Sequence, residues 1–347
     1  MTEPTAPGAT KTALVTGGGG FLGGAIIDRL LARGVTVRSL ARGDYPALRA
    51  KGVKTLRGDL ADASVVVQAT AGCDVVFHVA AKAGMWGAYD SYHQANVVGT
   101  QNVIAACRDG GISRLVYTST PSVVQRLTSI EGADESLGYP DDHSTAYQAT
   151  KAEAERLVMA ANGEGLATVS LRPRMIWGPG DTQIGPRLVD RHKKGRLRVV
   201  GDGSPLVDSV YIDNAADAHM CAWDALAAHD DPTQAPCAGR VYFVTNGEPW
   251  PIGKLMNAIL AASDMPPVTK SVSPRVAWIA GTVIEWIWKG LRLSSEPPMT
   301  RFLARQLCTA NHFDISAARR DLGYDPAVSM QEGLRRLKQS LASADLG

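Results

Sequence analysis

The chain lacks an excess of charge of either sign: 36 basic residues stand against 34 acidic ones, a net charge of +2. Nucleic-acid surfaces need clustered Lys and Arg, so no nucleic-acid partner is expected and a small molecule is. Cysteine is sparse. The five, Cys73, Cys107, Cys221, Cys237 and Cys308, form no CxxC pair and share no metal-ligand spacing with histidine. Reduced thiols in a cytoplasm and no metal site are the expectation. Long apolar runs are also missing. Residues 276–288 fall short of the roughly 20 needed to span a bilayer and include Glu285. Tryptophans at 278, 286 and 288 and the flanking Arg275 and Lys289 leave three readings open: a core helix, a cover over an apolar substrate pocket, or a peripheral contact with a membrane or enzyme complex. Residues 1–10, polar and without the apolar centre of a signal peptide, read as a disordered leader.

With 347 residues and a 45% hydrophobic fraction the chain can bury a large core, as two domains or one domain with a substantial lobe. Its first half alternates β-branched runs with helical patterns. Strands are expected at Thr12–Thr16, Thr36–Ala41, Lys54–Arg57, Val75–Val79, Arg114–Ser119 and Thr168–Arg172, with helices at Phe21–Ala32, Asn96–Asp109 and Tyr147–Ala161. That pattern predicts an α/β fold, a doubly wound parallel sheet of the Rossmann type with a smaller C-terminal substrate-binding lobe. Past Pro173 the alternation fails, leaving helical stretches near Asn214–Ala228, Ile252–Ala262 and Met330–Ala344. Residues 11–175 are therefore expected to bind a dinucleotide, with 208–228 and 240–246 packing back onto them, and residues 176–347 mainly to form the lobe.

The first expected strand runs into Gly17-x-x-Gly20-Phe21-Leu22-Gly23 at the start of a helix. Glycine permits the tight turn and lets backbone amides approach a pyrophosphate, whose charge a helix N-terminus favours. The second strand carries Arg38 and Arg42 where an acid would select NAD(H), so NADP(H) is expected. Asp59 and Leu60 follow the third strand, where an acid can meet the adenine amino group. His78 lies in an apolar strand and reads as structural, while Ala80 and Ala81 leave room for the cofactor backbone.

Tyr147 and Lys151, four residues apart, share a helix face. An ammonium there should lower the phenol's pKa from about 10 and make it a general acid or base. A hydroxyl-rich strand end, Tyr117-Thr118-Ser119-Thr120-Pro121-Ser122, precedes the pair and faces the ligand crevice of such a sheet.

Together these features resemble the extended short-chain dehydrogenase/reductase family over nearly the whole chain. By that resemblance Thr120 is the hydroxyl donor, where many members have serine. Leu171 to Asp181, Val210 to Asn214 and Tyr242 to Gly247 are similar to the 3β-hydroxysteroid dehydrogenase branch, as are the later runs Phe313 to Ile315 and Leu322 to Tyr324. The resemblance implies that Pro173 and Ile176 contact the nicotinamide and that Trp177 faces substrate. Ala80 to Gly87, Gln94 to Thr100 and Tyr117 to Val124 resemble the members that reduce 2-alkyl-3-oxoalkanoates in olefin biosynthesis. The implied activity is NADPH-dependent reduction of the 3-keto group, with Tyr147, Lys151 and Thr120 catalytic. Oxidation of a 3β-hydroxysteroid or a sterol 4-carboxylate is the alternative, and a dinucleotide-sensing regulator the non-enzymatic one. Met85, Trp86, Ser122 and Arg174 are further substrate residues, Arg174 as a fork for a carboxylate or as an ion pair within its loop. A homodimer is expected.

Overall fold

The computed structural model describes residues 11–84, 86–293 and 295–344, so the expected leader and Met85 lie outside the described residues. Seven strands build the central sheet: β1 (Thr12–Thr16), β2 (Thr36–Ala41), β3 (Lys54–Arg57), β4 (Val75–His78), β5 (Arg114–Thr118), β6 (Ala167–Pro173) and β7 (Arg240–Val244). They lie in the order β3-β2-β1-β4-β5-β6-β7 and all pairs are parallel. Strands buried on both faces read as unbroken apolar runs, as Ala13, Leu14 and Val15 do in β1. Strand order reverses between β1 and β4, and a crevice opens there at the carboxyl ends.

Helices α1 (Phe21–Ala32), α2 (Gly99–Asp109), α3 (Ala146–Ala160) and α4 (Ile212–Ala227) cover the sheet. α1 and α4 share one apolar cluster, α2 and α3 the other. Arg29 of α1 pairs with Asp213 at 2.9 Å and Asp217 at 2.6 Å on α4. α2 is continuous with an earlier turn, Tyr89–His93, through a π-helical turn at Gln94–Val98. The expected start at Asn96 was therefore late. Periodicity at 3.6 breaks where one extra residue enters the turn, and such turns gather at functional sites.

The lobe rests on a small sheet ordered Trp250–Pro251, Leu206–Val207, Asn311–Phe313 and Ile130–Ala133. Its last strand comes from the chain between β5 and β6. α5 (Pro274–Gly290) lies on α6 (Arg301–Gln306), with Gly281 against the Thr300 backbone. Glu285 of α5 accepts from the Arg301 amide and pairs with its guanidinium at 2.9 Å. Only Ala277, Gly281 and Glu285 of α5 are buried, so the core-helix reading of residues 276–288 is overturned. Among the described residues no helix is long and apolar enough to cross a membrane. One apolar cluster runs from β1 through α4 to Leu255 and Leu260 of the lobe, joining both halves.

Candidate active site

Two clefts meet at Tyr147. The first, about 680 Å³, follows the carboxyl edge of the sheet. Gly17, Gly20, Phe21, Leu22 and Gly23 form one end of it, Arg42, Asp59 and Leu60 the adjoining wall. Ala80 and Ala81 line it as well, Ala80 lying against Gly17, as do Pro173, Ile176, Thr120, Tyr147 and Lys151. Gly17 has φ +71°, and a Cβ on Gly23 would lie 2.3 Å from the Gly17 carbonyl oxygen. A Cβ on Gly20 would meet only that oxygen, at 3.2 Å, so the amide end of α1 is open to the cleft. No acidic side chain occupies the first turn of α1. Glycine backbone, a free helix N-terminus and a long groove fit a dinucleotide.

Arg38 is a correction. Its guanidinium donates to the carbonyls of Ala69 and Ala71, at 3.3 and 2.5 Å, beneath β2 and outside the cleft. Position along the strand explains this: Leu40, Ala41 and Arg42 line the cleft at the carboxyl end of β2, while Arg38 lies further back within the strand. Arg42 alone remains as the basic side chain expected for a 2′-phosphate.

At the reacting end, Thr120 stands beside the phenol of Tyr147 and caps the turn Pro121–Val124, accepting from the Ser122 amide at 3.2 Å. Burial pushes the Tyr147 phenol above its ordinary value, and the neighbouring Thr120 hydroxyl opposes that rise. The expected lowering by Lys151 is not what holds it. Lys151 donates to Tyr117 Oη and to the Thr118 carbonyl, both at 2.7 Å, and lies over the Tyr117 ring. Burial brings this ammonium down to about 7, against the pull of Glu155 one turn further along α3. Glu155, itself buried, accepts from Arg172 at 2.6 and 3.0 Å and from Tyr139 at 2.7 Å.

Behind Lys151 stands a polar chain. Near the Tyr117 phenol lies Thr100, whose hydroxyl donates to the Asn96 carbonyl at 2.6 Å and meets His78 Nε2 at 2.9 Å. His78 Nδ1 meets Thr16 at 2.8 Å. Burial and the neighbouring Lys151 push His78 down to about 3, so it is neutral and structural, as expected. Tyr117, Thr100 and Glu155 were missed by sequence reasoning. Glu155 could have been found: it continues the four-residue spacing of Tyr147 and Lys151.

The second cleft, about 1400 Å³, opens between the sheet edge and the lobe, and Trp86, Ser122, Tyr147 and Arg174 line it. Met175 at φ +39° turns the chain where β6 ends, placing Arg174 in this cleft and Met175 in the other. Such a conformation in a non-glycine residue stores strain and gathers at functional sites. Burial lowers Arg174 to about 10, Asp208 opposing, and among the described residues its Nε has no partner. Asp208 is raised by burial to about 6, its carboxylate accepting from the Phe313 amide at 2.7 Å. Trp177 is the second correction. It is 2% exposed, donates to Ser209 at 3.1 Å and packs edge-on against Tyr211, so it fills the core below the cleft.

A family model described as the 3-beta hydroxysteroid dehydrogenase/isomerase family matches residues 14–272. The chain belongs to this family. It is an oxidoreductase of the extended short-chain dehydrogenase/reductase type, and a nicotinamide dinucleotide is the cofactor its first cleft accommodates. Among the relatives of this 3-beta hydroxysteroid dehydrogenase family member, a Stenotrophomonas maltophilia protein named 2-alkyl-3-oxoalkanoate reductase is 57% identical over 333 residues, covering 95% of this chain and 99% of that one. A Shewanella oneidensis protein of the same name is 47% identical over 337 residues, 95% and 86% of the two chains. A UDP-glucuronic acid 4-epimerase from Bacillus cereus, solved with NAD, has a TM-score of 0.72 at 21% identity, covering 96% and 99%, and shares the fold.

Proposed function

We propose that this protein reduces the 3-keto group of a 2-alkyl-3-oxoalkanoate to the 3-hydroxy acid, with NADPH preferred over NADH. The observation that carries the reading is the convergence of Tyr147, Thr120 and the buried, incompletely partnered Arg174 at the junction of the two clefts. When bound, the nicotinamide supplies hydride to the ketone carbon. Tyr147 gives its phenolic proton to the developing alkoxide, and Thr120 donates a hydrogen bond to the same oxygen. Lys151 stands at the first cleft to hold the ribose and to feed a proton back toward Tyr147, an exchange suited by a pKa of about 7. Arg174 offers a planar fork to the carboxylate two carbons from the ketone. The volume of the second cleft suits two alkyl chains.

The NADPH preference rests on Arg42 at the nucleotide wall. The neighbouring acid, Asp44, is paired with Arg49. NADPH oxidation should be followed with a 2-alkyl-3-oxo acid, repeated with NADH, and compared with NADP+ reduction by a 3β-hydroxysteroid. Faster turnover of the oxo acid, by tenfold or more in kcat/KM, supports the reading. Faster steroid oxidation replaces it with the dehydrogenase alternative, and cofactor binding without turnover of either substrate replaces it with the regulator.

A further inference from the structure

The outer face of α5 is unusually apolar for a soluble surface. Val276, Ile279, Val283 and Ile287 are each about half exposed and Trp286 is 73% exposed. Scattered apolar residues on a surface need no explanation, but a contiguous strip does. The opposite side of the same helix, through Trp278, Glu285, Trp288 and Lys289, lines the second cleft. α5 is thus the wall between that cleft and the outside.

We propose that this face docks on the surface of an anionic lipid bilayer, with α5 lying in the interface and the second cleft opening beside it. Charge favours lipid. The only acid of α5, Glu285, is turned inward onto Arg301, so the exposed charges of the helix are Arg275 at its start and Lys289 at its end, with Arg292 just beyond, the last two also lining the mouth of the second cleft. Among the described residues none of these three cations makes an ion pair. An apolar face bounded by basic residues and tryptophan matches the boundary between headgroups and acyl chains. Area argues against a second copy of this chain. Seventeen residues make a strip about 25 Å long and about 10 Å wide, on the order of 250 Å², where a stable dimer buries roughly 800 Å² on each partner. Depth argues against spanning, because α5 is too short to cross. The inference deepens the proposed function, on which its use rests: a 3-oxo acid with two long chains partitions into lipid, and a cleft wall seated in lipid receives it without passage through water.

The test is co-sedimentation of the full chain with vesicles of phosphatidylcholine alone or with 30% phosphatidylglycerol, without substrate or nucleotide. Binding to the anionic vesicles at least tenfold tighter than to the neutral ones, weakened by salt, is expected. Val283→Glu and Trp286→Glu lie outside both clefts and should each reduce binding tenfold or more while NADPH-induced stabilisation is unchanged. A wild-type chain that stays in the supernatant overturns the proposal whatever the variants do, as does undiminished binding by both. A dimer that dissociates in either variant, with no vesicle binding by the wild type, assigns the face to a second copy. No substrate enters the assay, so failure here leaves the proposed reaction standing, and failure of that reaction leaves the docking surface standing.

Discussion

At the scale of single residues the site works by burial more than by direct pairing. Tyr147 is held above its ordinary pKa by its surroundings and Lys151 is brought below its own to about 7, so burial moves two groups of similar ordinary pKa apart and leaves the ammonium the stronger acid of the two. Tyr147→Phe should lower kcat by about 10²–10⁴-fold while NADPH affinity, read by fluorescence titration, changes little. Arg174→Ala is expected to raise KM for a 3-oxo acid far more than for its methyl ester, since only the free acid carries the charge that the fork would bind. Wild-type KM values that do not distinguish acid from ester would remove that role. His78 makes a prediction about acid. Its folded pKa of about 3 lies below the ordinary 6.5, so the neutral ring contributes stability above 6.5 that is lost as pH falls toward 3. Between pH 7 and 5 this amounts to on the order of 2 kcal/mol, and urea unfolding of His78→Gln should show a weaker loss over that interval.

At the scale of elements, two glycines decide how segments approach. A Cβ at Gly23 would meet the Gly17 carbonyl oxygen at 2.3 Å, a backbone atom that cannot step aside. Gly23→Ala should therefore reopen the turn at the head of α1 and weaken NADPH binding by tenfold or more in a titration. The turn was legible in the sequence because glycine spacing after a strand has one physical use. β1 to β6 were legible for a related reason: parallel strands between helices leave apolar runs of a fixed length. The π-turn before α2 was not, since an inserted residue leaves no mark on composition. Arg38 and Trp177 show the same boundary at the site. Strand and loop positions were assigned correctly, but which way a side chain faces depends on neighbours far along the chain, Ala69 and Ala71 in one case and Ser209 in the other.

At the scale of the molecule, a single apolar cluster joins the sheet to the lobe, and β7 and α4 are supplied by the chain beyond β6. Unfolding should therefore be one cooperative event. Far-ultraviolet dichroism and tryptophan fluorescence are expected to give coincident transitions in urea, and NADPH to move both midpoints together. Two separated transitions would show that the halves fold apart. Nothing in local sequence pattern could have revealed this cluster, because its members are gathered from strands and helices hundreds of residues apart.

The strand Ile130–Ala133 leaves the chain between β5 and β6 and pairs with Asn311–Phe313 in the lobe. A chimera that grafted a relative's lobe onto this chain at residue 175 would leave that strand facing a foreign edge. Specificity can therefore be exchanged between family members only by moving two pieces of sequence at once, the segment around 130 together with the lobe it completes.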